Sequence, residues 1–159
     1  YVENELTAKF GKVSLIKGKN IVITGMPIQD EFYAKDNFID PWKEQSINKK
    51  RIIYAPHHSL SVSNSFISIS CFLEVCDFML ELADKYQDKV QIAFNPPFLK
   101  EKTNKLWGRE TEHYYNCWAT MENTQLMEGE YLGLFKYSDA LIHDCDSFTL
   151  EYCYIKKPI

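Results

Sequence analysis

Three polar clusters in this chain of 159 residues each follow a short apolar run: His57, His58 and Ser59 after 51–55, Asn95 after 90–94, and His143 to Ser147 after 140–142. Their residue types suit a phosphate-bearing ligand. Histidine changes charge near neutral pH and hydrogen-bonds to phosphate or to an acceptor hydroxyl, so His57 and His58 are candidates for catalysis as well as binding. Asn95 can donate to a phosphate oxygen but carries no positive charge. From Asp144 to Glu151 the chain reads as a tight loop opening into a helix, with Phe148, Tyr152 and Ile155 at helical spacing. The unpaired N–H groups of such a first turn, together with the Ser147 hydroxyl, attract a diphosphate, and Glu151 one turn on can accept from ribose hydroxyls. Asp and Ser are also ordinary helix caps, worth about 1 kcal/mol each without any ligand. His143 sits between the apolar run and the loop, placed to touch the same ligand. The substrate-binding set read from sequence is therefore His57, His58, Ser59, Asn95, His143, Asp144, Ser147 and Glu151.

Asp144 and Asp146 also spell a DxD pattern, the paired carboxylates that hold Mg²⁺ or Mn²⁺ in some glycosyltransferases. Three residues are too short a pattern to be specific, and neither a metal nor a cofactor is expected. Trp107, His113, Tyr114, Tyr115 and Trp118 form an aromatic cluster that either stacks a base or sugar or packs in a core. Neither a phosphate-binding glycine loop nor a serine-hydrolase elbow nor zinc-ligand spacing occurs, which leaves NTPase and hydrolase readings without support.

The elements that must position these residues alternate between two periods. Strands are expected at 21–24, 51–55, 90–94 and 140–142, as parallel neighbours in one sheet. Between the second and third, Phe72, Val75, Cys76, Met79, Leu82, Ala83 and Tyr86 follow the stripe of an amphipathic helix. Strand, helix, strand is a βαβ unit, which joins parallel strands. Residues 130–137 read as a helix leading into the last strand. The fold class is α/β, a Rossmann-like, mostly parallel sheet flanked by helices, and all three polar clusters fall at its carboxyl edge, where ligands bind.

Eighteen basic against twenty-two acidic residues give a formal charge of -4, and the longest basic stretch is Asn48-Lys-Lys-Arg51. Nucleic acid is therefore not an expected partner, although a local positive pocket is compatible with that stretch. Five cysteines without a CxxC pair read as reduced thiols in a cytoplasmic protein. The chain starts at Tyr1 and stops at Pro158-Ile159, where another strand should begin. It reads as a piece of a longer protein: 1–19 the end of a preceding domain or a linker, and 20–159 one domain truncated at its C-terminus.

The terminal block Ser138-Asp-Ala-Leu-Ile-His-Asp-Cys-Asp-Ser-Phe-Thr-Leu-Glu-Tyr152, followed by Lys157-Pro158, resembles the C-terminal signature of the CDP-glycerol glycerophosphotransferase family. Weaker similarity extends through Val22-Ile-Thr-Gly-Met-Pro-Ile-Gln-Asp30 and Arg51-Ile-Ile-Tyr-Ala-Pro-His-His-Ser59. The resemblance implies the C-terminal, donor-binding domain of a GT-B-like transferase that makes teichoic acids or related surface polymers. It implies a CDP-glycerol-like donor, a polymer acceptor, and an N-terminal domain of the same protein that supplies the general base. The fragment alone would then be inactive, and the full protein peripheral on the inner face of the cell membrane. Two positions depart from the family pattern: Asp146 stands where Ser or Gly is usual, and Asn95 near an expected His-Pro. A nucleotide-sugar transferase or epimerase of the same architecture, or a non-catalytic binding domain, are the alternatives these departures leave open.

Overall fold

The computed structural model describes residues 4–13, 15–34, 38–57, 59, 69–96 and 108–159. The chain divides into two compact units, Tyr1–Asn37 and Phe38–Ile159. In the first, α1 (Glu5–Gly11) begins where Asn4 Oδ1 accepts the N–H of Thr7 at 2.9 Å, satisfying one of the donors a helix start leaves unpaired. A proline opens α2 (Pro27–Ala34), its fixed φ and missing N–H suiting the first helical position. The strand expected at 21–24 does not join the sheet. Ile23 makes only an isolated bridge, and Val22 and Ile23 stay 55% and 48% exposed. β-Branched side chains favour a strand where a neighbouring layer buries them, and that burial is missing here.

The second unit holds a four-stranded sheet of β1 (Lys50–Ala55), β2 (Val90–Phe94), β3 (Thr124–Leu126) and β4 (Ala140–His143), in the order β3-β2-β1-β4. Every pairing is parallel: Ile52 faces Ile92 on one side and Ala140 on the other, and Ile92 faces Thr124. The architecture is α/β and Rossmann-like. β3, and not 21–24, supplies the fourth strand. Its side chains are polar because they anchor neighbouring segments: Thr124 Oγ1 donates to Trp118 O at 2.8 Å, while Gln125 donates to Pro41 O and accepts from Lys43 N–H.

A parallel sheet must be covered on both faces. Over one face lie α3 (Phe72–Lys85) and α4 (Gly108–Thr120), which pack Phe72, Cys76, Met79, Ala83, Tyr115 and Trp118 against Tyr54, Ile92 and Phe94. All four α3 positions, Phe72, Cys76, Met79 and Ala83, belong to the stripe read from sequence. Tyr115 and Trp118 of the aromatic cluster thus serve as core, with the Phe94 and Trp118 rings stacked at 5.2 Å. Alternation turns Ile53, Ala93 and Leu141 to the other face. There α5 (Leu132–Tyr137) and α6 (Ser147–Cys153) bury Leu134, Phe135 and Tyr152. Gly133 lets α5 approach the chain before it, since a Cβ there would stand 2.9 Å from Ile39 O. Lys157 Nζ closes the end of α5 by donating to the carbonyls of Phe135, Lys136 and Ser138. Among the described residues, no helix is long and apolar enough to cross a membrane.

Candidate functional site

The strand order fixes where a crevice must open. From β1 the chain steps outward to β2 and β3, then returns to place β4 on the other side of β1. The segments leaving β1 and β4 therefore depart toward opposite faces, and the gap outside their carboxyl ends is the switch point at which open α/β sheets take ligands. His57 and Ser59 follow β1 there, Asn95 follows β2, and His143 ends β4, with Asp144 to Asp146 leading into Ser147 at the start of α6. His58 and Trp107 lie outside the described residues.

Asp144 ties the two loops together. One carboxylate oxygen accepts the His57 N–H at 2.5 Å, and the other accepts the N–H of Cys71, just before α3, at 2.9 Å. The Cys71 thiol also points at it, 3.6 Å away. Burial, and then the charge of Asp144, push that thiol's pKa up, which disfavours the thiolate. Tyr54, beneath, is a phenol that burial holds protonated.

His143 makes the second link. Its Nδ1 bonds the carbonyl of Ala55 on β1, which makes Nδ1 the protonated nitrogen and leaves Nε2 as an acceptor. Ser147 Oγ lies 3.2 Å from Nε2, and the Phe148 N–H approaches it at 3.5 Å. The serine hydroxyl is thus oriented by an imidazole, which is in turn oriented by the neighbouring strand. His57 Nδ1 sits 2.7 Å from Ser59 Oγ, holding that loop in a local turn.

Asn95 is almost fully buried at 4% exposure; its backbone N–H donates to Tyr54 O at 2.8 Å, and its Nδ2 has no hydrogen-bond partner among the described residues. An amide donor left unpaired in a buried place costs about 1–3 kcal/mol, the kind of cost found beside ligand sites. Glu151 is half-buried and accepts from the Tyr131 hydroxyl at 2.6 Å, so its carboxylate is held in place with one oxygen engaged. Asp146 precedes α6 without capping it and is exposed. Because both oxygens of Asp144 serve backbone donors, the DxD pair does not offer two uncommitted carboxylates. Among the described residues, no group of three or more His, Cys, Asp or Glu is placed to hold a metal ion.

Sequence reading missed three partners of this site: the Ala55 carbonyl, Cys71 and Tyr131. Only Cys71 left a signal, as the residue immediately before the apolar stripe of α3. No protein-family model, no curated protein and no solved structure matches the chain.

Proposed function

We propose that this chain is the donor-binding domain of a transferase that uses a CDP-alcohol, CDP-glycerol or a close analogue, to pass a phosphoglycerol unit to a surface polymer such as teichoic acid. The observation that carries the reading is that, outside the carboxyl ends of β1 and β4, the terminal block that resembles the glycerophosphotransferases is joined to the loop after β1 through Asp144 and His57. In this reading the first turn of α6 and Ser147 face the diphosphate and Glu151 the ribose, with Ser59, Asp144 and His143 shaping the wall. His57 and His58 serve as donors to the phosphoryl oxygens, whose charge builds as the acceptor hydroxyl attacks the β-phosphate and CMP leaves. The general base comes from a preceding domain of the same protein, and that protein works at the inner face of the cell membrane. Asn95, in place of a His-Pro, favours a second reading in which the donor is a nucleotide sugar.

Calorimetry with CDP-glycerol, CDP-ribitol, CMP, UDP-GlcNAc and UDP separates the two. Tight binding of the cytidine ligands alone supports the first, uridine ligands the second, and silence across the panel overturns both. Ser147→Ala should weaken binding by about 1–2 kcal/mol. Asp146→Ser should leave it unchanged or strengthen it, because removing a carboxylate from the mouth of a helix favours an anion there. Loss of binding in Asp146→Ser, with dependence on Mg²⁺ or Mn²⁺, would replace this reading by a metal-bridged one.

A further inference from the structure

A polar cavity of about 250 Å³ lies at the opposite, amino edge of the sheet, where the chain enters β1. Ser46, Asn48, Lys49, Arg51 and Gln91 line it, and its described lining includes no carboxylate. In a chain with a formal charge of -4, it gathers two cations, Lys49 and the Asp40-paired Arg51, on the one basic stretch the crevice leaves unused.

The two cations are positioned differently. Lys49 Nζ is held at 2.7 Å by Gln45 Oε1, a neutral acceptor that orients the ammonium without cancelling its charge. Arg51 Nη1 meets Asp40 Oδ2 at 2.7 Å, and the guanidinium lies 5.6 Å from the centre of the Trp42 ring. That contact occupies one of five donors and fixes the plane of the fork. Arg51 and Gln91 are register partners on β1 and β2, so this part of the cavity rests on the sheet, which holds geometry better than a loop. Gln91 is itself almost wholly buried and anchored through Nε2 to Lys43 O at 2.7 Å.

We propose that this cavity is a second ligand site, independent of the crevice at the other edge, and that it takes a small oxyanion: free phosphate or the phosphomonoester end of a small molecule. A planar fork, an ammonium, the Ser46 hydroxyl and the Asn48 amide are donors of the kinds that tetrahedral oxyanions use, with Gln91 as a fixed wall whose own amide is spent on Lys43 O and Gln125. The volume exceeds that of a single water, about 30 Å³, several-fold, and falls below the roughly 300–1,000 Å³ of pockets that hold drug-sized ligands.

The test is a residue-resolved amide-shift titration of the full chain at constant ionic strength, with inorganic phosphate in one arm and methyl phosphate in the other. Saturating shifts are expected over 46–51 and at Gln91, with His57 and Ser147 unmoved. Tighter binding of methyl phosphate identifies the ester end as the ligand, and tighter binding of phosphate identifies the free ion. Lys49→Gln should weaken binding about tenfold, the worth of one charge-assisted hydrogen bond. Lys50→Gln removes a neighbouring charge that pairs instead with Asp139, and should change binding by less than about twofold. Absence of saturating shifts in this segment, or equal losses in the two variants, would overturn the proposal.

Discussion

Asp144 shows how a single carboxylate can tie together three segments at one edge of a sheet. By accepting from His57 and Cys71 it joins the loop after β4 to the loop after β1 and to the start of α3. Asn at this position keeps one acceptor and turns the other atom into a donor facing a backbone N–H. We expect Asp144→Asn to cost about 1–3 kcal/mol, the range for hydrogen bonds to a charged group, and to deprotect the His57 or Cys71 amide in hydrogen exchange. Unchanged urea unfolding and unchanged exchange at both amides would show that the loops hold themselves. The residue types at this edge were readable beforehand, since polar residues after short apolar runs mark strand ends. What each atom is bonded to was not: Asp144 reads as a ligand group or a metal carboxylate, and in the fold its oxygens are directed to the protein's own backbone.

At the scale of elements, β1 and β4 are locked at their amino ends as well. Asp139 accepts the N–H of Arg51 and the Lys50 ammonium, each at 2.9 Å. Burial alone would raise the Asp139 pKa, but the Arg51 N–H and then Lys50 outweigh it and hold the carboxyl below its ordinary value. A carboxylate depressed in this way stabilises the fold above its unfolded value of about 3.9, and the contribution is lost as the pH falls through the lower folded value. Asp139→Asn should therefore reduce stability at neutral pH by about 0.5–1 kcal/mol, a modest figure because solvent reaches the pair. The gap between the unfolding curves of the two proteins should begin to narrow as the pH falls below about 4 and close once the pH passes the lower folded value; a gap that does not narrow in acid would deny the carboxylate this role. Sequence patterns located α3, α5 and three of the four strands because their apolar periods match their buried faces. They placed the fourth strand at 21–24, where β-branched residues are dense, and passed over 124–126, where Thr and Gln are buried through hydrogen bonds that no local pattern reveals.

For the molecule as a whole, the two edges of one sheet carry opposite kinds of construction. The carboxyl edge is built from loops joined across the β1–β4 gap, and the amino edge from the segment entering β1 set against Arg51 and Gln91 on paired strands. The binding proposed at one edge should therefore be separable from that proposed at the other, and the titrations described above read them separately. The crevice has one further property, which concerns time. His57 and Asp144 are 87 residues apart in the chain, whereas the register partners Ile52 of β1 and Ile92 of β2 are only 40 apart. Closing the longer loop costs more entropy, about 0.6 kcal/mol for each doubling of length, so the β1-α3-β2 unit is expected to form first and β4 to dock late. The crevice is then absent from the folding transition state, and a nucleotide held there should slow unfolding while leaving the refolding rate unchanged, as stopped-flow measurements with and without ligand can tell. Competence to bind would be the last property this chain acquires as it folds, and the first it gives up.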